Sequence, residues 1–313
     1  MSNRKGATLL FIGCLLMGSM GTFANFVQGT HPLNILLMRY GFALAGLLVI
    51  LLMQFIISTD KAKQYVSLNW SAAKASPKVY LLTGLVSALV MATYVMGTLL
   101  FSVGLSVVML YTATIYLPFT EKIIRRYFIP NLKRSTFGSR YYLSSAINLL
   151  GLLLIVGASL SDTKLSILGL ISALSSGFLF SILMVQVRAM KGCGIDAEHT
   201  LVSGALVGFT LFLPAAFMLP ISFTTYNIFA ASGLGVLATA IGGIFYFKGF
   251  SAVRPDLAPL LAYFEPIFGS MLALIFLGER YSLLAVAGVI LIIGTSFAYT
   301  YLTRSENSPQ GER

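Results

Sequence analysis

The chain carries one segment twice. Gly151-Leu-Leu-Leu-Ile-Val-Gly157-Ala-Ser159 returns as Gly288-Val-Ile-Leu-Ile-Ile-Gly294-Thr-Ser296. Pro118 and Pro266 stand upstream of the two copies, each inside an apolar run. Each copy closes a block that reads as five membrane-spanning segments. An odd number of crossings sends the second block into the membrane upside down relative to the first. The fold class expected is therefore an all-α integral membrane protein of ten transmembrane helices, built as an inverted repeat of five plus five.

Lipid as solvent follows from composition. Hydrophobic residues make up 57% of the chain and charged residues 10%, with a mean hydropathy of +0.88. A soluble domain carries about 25% charged residues, so this chain cannot cover a water-facing surface. In hydrocarbon each backbone N–H and C=O must be satisfied inside its own segment or in a closed barrel. Long unbroken apolar runs select helices, because barrel strands alternate and are about ten residues long.

The expected spans are 6–25, 33–57, 79–101, 105–121, 141–161, 165–187, 198–219, 227–248, 256–277 and 281–302. Residues 79–121 form one nearly uncharged stretch. As a single helix it would be roughly twice the membrane thickness, so the chain must reverse, and Ser102-Val-Gly104-Leu-Ser106 is the best place. The first segment, after Arg4 and Lys5, resembles a signal peptide, but its length and the polytopic chain behind it favour a retained helix.

Net charge is +11, yet nucleic acid is not the expected partner, because the basic residues sit in alternate loops. Arg4 and Lys5, then Lys61, Lys63, Lys74 and Lys78, then Lys122, Arg125, Arg126, Lys133, Arg134 and Arg140 mark one side. Arg188 and Lys191, Lys248 and Arg254, and Arg304 and Arg313 continue that side. The intervening loops hold only Lys164 and Arg280. The positive-inside rule then places both termini in the cytoplasm of a cell carrying the protein in its inner membrane.

Repeat units are expected at 1–161 and 162–304, with a disordered cytoplasmic tail at 305–313. The offset is 148 between Pro118 and Pro266 and 137 between Gly151 and Gly288. The eleven extra residues of the first unit fall in its basic fourth loop, where insertions cost little.

The 148 offset also aligns Ser87, Met91, Tyr94, Thr98 and Phe101 of the third helix with Gly235, Thr239, Gly242, Tyr246 and Gly249 of the eighth. Each set shares a helical face. Such faces suit a cavity between the halves and equally suit close helix packing. Gly204 and Gly208 form a GxxxG, read as ordinary helix contact.

Two charges lie inside apolar runs. Glu265 is near the middle of the ninth span, where a lone charge costs at least about 3 kcal/mol. It reads either as a proton-coupling or substrate-orienting carboxylate or as a packing group bonded to neighbouring helices. Arg39 lies two turns inside the second helix. It suits a substrate carboxylate and also suits snorkelling or pairing with Glu265. Glu121 and Lys248 read as interfacial. Pro118, Pro259 and Pro266 are expected to interrupt their helices, each freeing a carbonyl one turn back. Tyr111, Tyr116 and Tyr263 lie near these breaks.

Enzymes lack support here. His31 and His199 fall near opposite faces, and there is no HExxH, nucleophile motif or P-loop. Cys14 and Cys193 do not read as a disulfide. No catalytic residue, metal site or cofactor is expected. A channel or a non-transporting membrane partner stays open beside a carrier.

Leu261-Ala-Tyr-Phe-Glu265-Pro266-Ile-Phe, then Leu277-Gly278-Glu279-Arg280, then Gly288 and Gly294 resemble the closing signature of the drug/metabolite transporter superfamily, EamA type. Arg39-Tyr-Gly-Phe-Ala-Leu-Ala is similar to its early signature. The first half departs after Pro118, where a long basic loop replaces a Gly-Glu-Arg-like turn. The resemblance implies a ten-helix carrier, as monomer or homodimer, exporting an amino acid or related amphipathic metabolite by alternating access, with proton exchange. An uptake carrier of the same fold is the alternative. On this reading the substrate path is lined by Arg39, Ser87, Tyr94, Thr98, Tyr111, Thr239, Tyr246, Tyr263 and Glu265.

Overall fold

The structure is a computed structural model that describes residues 3–57, 60, 70–71, 74–101, 103–127, 132, 134–157, 166–278, 280 and 282–303. The unit boundary at 161/162, the tail from Ser305, Ser102, Ser159, Glu279 and the basic residues Lys61, Lys63, Lys133, Lys164, Arg304 and Arg313 lie outside them.

Among the described residues, ten helices are long and apolar enough to cross a membrane. They are α1 (Arg4–Phe26), α2 (Pro32–Ile56), α3 (Pro77–Leu100), α4 (Leu105–Tyr127), α5 (Ser139–Val156), α6 (Ile167–Gly192), α7 (Ala197–Met218), α8 (Thr225–Ala252), α9 (Ala258–Leu277) and α10 (Leu283–Leu302). The shortest has 18 residues, about 27 Å at 1.5 Å per residue, which nearly matches the hydrocarbon thickness. Large apolar side chains such as Leu48, Leu52, Ile56, Leu283 and Phe297 point outward, as lipid-facing residues should. α3 ends at Leu100 and the next helical segment begins at Val103, so most of the stretch expected to hold the reversal is itself helical.

Helix ends run further than expected at one side of the bundle. α4 continues to Tyr127 and α6 to Gly192. Arg188 therefore belongs to a helix rather than to a loop. Arg125 and Arg126 in the last turn of α4 oppose the helix dipole there.

Helix packing is paired. α3 packs on α6 as α8 packs on α1. α3 also meets α7, and α8 meets α2. α4 lies on α6, and α9 lies on α1. α5 packs on α10, and α2 on α7. Exchanging each helix with the one five places along leaves this pattern unchanged.

Close approach explains the repeated glycines. A Cβ on Gly151 would stand 2.7 Å from Ile292 and 2.8 Å from the carbonyl of Gly288. A Cβ on Gly288 would collide with the carbonyl of Gly151 and stand 3.0 Å from Ile155. Gly204 and Gly208 seat Ser87 and Tyr40 in the same way, the ordinary helix contact expected of them.

Turns interrupt α1, α4, α7 and α9, and Pro118 and Pro259 do not open their helices as expected. α4 breaks at Thr112, and its second segment, Ala113–Tyr127, runs through Pro118. Proline leaves the carbonyl four residues back without its helical donor. That carbonyl, Thr114 O, accepts the Tyr141 hydroxyl at 2.7 Å, so the helix has no need to open. Pro259 lies in the first turn of Ala258–Leu261, where the missing N–H is not used. The carbonyl of Pro255 accepts Arg188 Nη2 at 2.7 Å instead. α9 breaks at Ala262–Tyr263, and Pro266 sits in the first turn of the following segment, Phe264–Leu277. α8 contains a π-helical stretch, Gly233–Ile241, which the sequence pattern did not announce. α1 is interrupted at Ser19.

The loops at the end opposite the start of α1 and the end of α10 are tied together. Asn227 Nδ2 donates to Gln28 O at 2.8 Å, and its Oδ1 accepts the Gln28 N–H at 3.0 Å. Asn34 Nδ2 donates to Leu219 O and Pro220 O, both at 3.0 Å. These bonds join the α1–α2 and α7–α8 connections.

Candidate functional site

The breaks in α4 and α9 face each other and brace each other. The Tyr111 hydroxyl reaches across to Ala262 O at 3.3 Å, the carbonyl released by Pro266. The Tyr263 hydroxyl reaches back to Tyr111 O at 3.1 Å and shares a hydrogen bond with Thr114 Oγ1 at 3.0 Å. The two tyrosine rings lie 5.0 Å apart. Polar backbone that a broken helix would expose to lipid is thus satisfied from the opposing helix.

Glu265 sits in the first turn after the α9 break, about two turns into the span. Its Oε2 accepts the Tyr111 hydroxyl at 3.1 Å. Tyr94 of α3, Tyr246 of α8 and Cys14 of α1 lie within electrostatic reach of the same carboxylate. Tyr246 is 2% exposed, and its hydroxyl has no hydrogen-bond partner. A buried phenol without a partner costs about 1–3 kcal/mol.

Arg39 is 8% exposed on α2. Its Nε donates to Thr239 Oγ1 and its Nη1 to Met91 Sδ, both at 2.9 Å. Thr239 lies in the π-helical stretch and donates in turn to Leu234 O at 2.8 Å, five residues back. Met91 and Thr239 are the positions that the 148 offset makes equivalent. Arg39 therefore bridges matching points of α3 and α8. The charges of Arg39 and Glu265 sense each other, but none of the ion pairs among the described residues joins them.

Of the nine residues expected along a substrate path, the structure gathers six. Tyr94, Tyr111, Tyr246 and Glu265 form one group, with Arg39 and Thr239 beside it. Ser87 packs against Gly204. Thr98 bonds its own helix at Val95 O, 2.8 Å away. Tyr263 braces α4. On the eighth-helix face, Gly235 and Gly249 admit neighbouring backbone, while Thr239 and Tyr246 carry polar groups to the interior.

Cys14 and Arg188 were not among the expected residues. Cys14 is fully buried with Sγ 3.9 Å from Leu261 O, at the α9 break. Glu121 was read as interfacial, yet it is 5% exposed. It accepts the Ser135 backbone N–H at 2.7 Å and lies 4.0 Å from Arg188 Nη1. Lys248 pairs with Glu198.

Two cavities are outlined elsewhere. One of about 210 Å³ lies near the α6–α7 connection, beside Lys191, Asp196, Thr200, Phe247 and Lys248. The other, about 640 Å³, opens sideways among α3, α4 and α6, lined by Leu89, Thr93, Tyr116, Ser175 and Phe178. Neither reaches Glu265 or Arg39. Charges and an unpartnered hydroxyl converge instead on the buried polar cluster around Glu265.

One crystal structure of a protein shares this fold with a TM-score of 0.75 over 98% of this chain and 100% of its own, at 16% identity. That likeness extends to fold alone. No curated protein matches the chain. The EamA-like transporter family matches residues 167–301. The second half of the chain is thus an EamA-like transporter domain, in a chain whose described residues form ten helices long and apolar enough to cross a membrane.

Proposed function

We propose that the protein is a secondary carrier that exports a small organic solute, an amino acid or related amphipathic metabolite, across the cytoplasmic membrane by alternating access. The moving parts are two inverted five-helix units, 1–161 and 162–304, with both termini in the cytoplasm. The exchange-invariant packing supports two related units, and five crossings in each supports their inversion. The basic loops support the orientation, and the resemblance supports the outward direction.

The observation that carries this reading is the convergence on Glu265 of tyrosines from both halves at paired helix breaks. Glu265 would take the proton that couples transport, or a substrate ammonium, and Arg39 would take a substrate carboxylate. Tyr94, Tyr111 and Tyr246 supply ring faces and hydroxyls for an organic solute. Broken helices between repeats are where carriers of this general kind place their substrate.

Comparing metabolites inside and outside deletion and overexpressing cells identifies the solute. Its flux into vesicles should then saturate, and Glu265→Gln should abolish it or alter its pH dependence while the protein still inserts. Wild-type flux across pH in Glu265→Gln would remove this carboxylate from the mechanism.

A further inference from the structure

We propose that Glu121 and Arg188 form a latch that closes the cytoplasmic mouth of the solute path. The inference rests on the carrier reading and adds to it a named gate.

Arg188 is a hub at the end of the bundle where α1 starts and α10 ends. Its Nη2 holds the carbonyl of Pro255, in the turn between α8 and α9. Its guanidinium lies 5.0 Å from the centre of the Phe250 ring. Asp256, beside that carbonyl, is bonded by Arg254 and by the Tyr299 hydroxyl of α10, and Arg254 Nη1 also reaches Thr303 O at 3.2 Å. Arg188 thus belongs to a braced assembly made wholly of the second unit: α6, the α8–α9 turn and the end of α10.

Glu121 comes from the other unit. It lies on α4, three residues after Pro118, and its Oε1 is held by the Ser135 backbone N–H. Glu121–Arg188 joins the two units, while the pairs Lys248–Glu198 and Arg254–Asp256 lie within the second. Both partners are largely shielded, with side-chain exposures of 12% for Arg188 and 6% for Glu121. A shielded pair is strong when closed and costly when one partner is left alone, which gives it a two-state character.

The pair is in contact but not closed. Glu121 Oε2 is 4.0 Å from Nη1, and neither Nη1 nor Nε of Arg188 has a hydrogen-bond partner. A shift of about 1 Å would bring them to charge-assisted hydrogen-bond distance. Separation of α4 from α6 would release them to incoming water. At the repeat-equivalent place the contact is of another kind. The 148 offset takes Glu121 to Gly269, which packs on Gly18 of α1, with its Cβ position 3.2 Å from Gly18 O. The latch therefore gives the cytoplasmic mouth an electrostatic closure that its counterpart lacks.

Cys14 reports on opening. It is fully buried beside the α9 break and within the field of Glu265, so a water-filled path from the cytoplasm to Glu265 exposes it. Cys193→Ser removes the other thiol. In this background a charged, membrane-impermeant maleimide is applied to inside-out and to right-side-out vesicles. Glu121→Gln keeps an oxygen for the Ser135 N–H and removes only the charge. It should raise Cys14 labelling from the cytoplasmic face about 5-fold or more and leave labelling from the outer face unchanged. An unchanged cytoplasmic rate in Glu121→Gln overturns the latch, and so does an equal rise at both faces. Solute flux in the same vesicles tests the carrier separately: no flux with latch-dependent labelling rejects the carrier and keeps the gate.

Discussion

Gly151 and Gly288 meet face to face where α5 crosses α10, each occupying the space that a side chain on the other would need. The contact is reciprocal in its neighbours too, since Gly151 meets Ile292 and Gly288 meets Ile155. Both pairs are related by the 137 offset. A two-fold axis between the two proposed repeat units would make a surface meet its own equivalent in this way. Gly288→Val should therefore destabilise by about 1–3 kcal/mol, as overpacking does. Gly294→Ala, at an exposed position with open space around it, should be neutral or gain up to about 1 kcal/mol. Thermal unfolding in detergent reads both, and equal melting temperatures for the two variants would remove the crossing from the account.

Tyr141 and Pro118 make a second pair with an unusual expectation. Tyr141→Phe deletes the hydroxyl that satisfies Thr114 O and should cost about 1–3 kcal/mol, the penalty for a buried carbonyl left bare. Pro118→Ala restores a backbone N–H that can bond the same carbonyl. In the double variant the cost of Tyr141→Phe should fall well below its cost in the wild type. Additive losses in that cycle would show that Tyr141 stabilises the chain through packing alone. Tyr111→Phe should be milder at α9, because Ala262 O keeps the Glu265 N–H at 3.0 Å.

How far the sequence could be read follows from these residues. The ten spans were legible because apolar length is set by the bilayer. Their interruptions were legible only in part. α9 does break one turn before Pro266, at Ala262–Tyr263, whereas the carbonyls freed by Pro118 and Pro259 are taken by Tyr141 and Arg188 from distant helices. The Glu265 group was legible in part: a charge in an apolar run and tyrosines near prolines are local signals. Ser87 and Thr98 carried the same signal and turned to packing and to their own helix. Arg188 escaped notice because α6 outruns its apolar stretch, which placed that residue in a loop. The π-helical stretch around Thr239 has no signature beyond its glycines.

Asp256 carries a pH dependence outside the spans. Its partial burial pushes its carboxyl up, but the bonds from Arg254 and Tyr299 outweigh this and hold it below the usual 3.8. A carboxyl with a depressed folded-state value stabilises fully above its unfolded value and loses that contribution as pH falls through the folded one. The wild type should thus keep this stabilisation at neutral pH and lose it only below about pH 4. Asp256→Asn should melt lower than the wild type from pH 5 to 8, with the gap closing in stronger acid. A gap that widened on acidification would reverse the sign and discard the pairing.

Thr239 tests whether Arg39 acts from a fixed position. Its hydroxyl accepts from Arg39 Nε and donates to Leu234 O. Thr239→Val keeps the volume and removes both bonds, and Thr239→Ser keeps both. If Arg39 binds solute from the place that Thr239 gives it, Thr239→Val should raise the KM for flux about tenfold, a loss of about 1.4 kcal/mol, with kcat little changed. Thr239→Ser should restore the KM. A structural role in the π-helical stretch alone would instead lower the folded yield of Thr239→Val and leave the KM of the surviving protein unaltered. That result would sever Arg39 from solute binding and leave Glu265 and its tyrosines as the whole of the site.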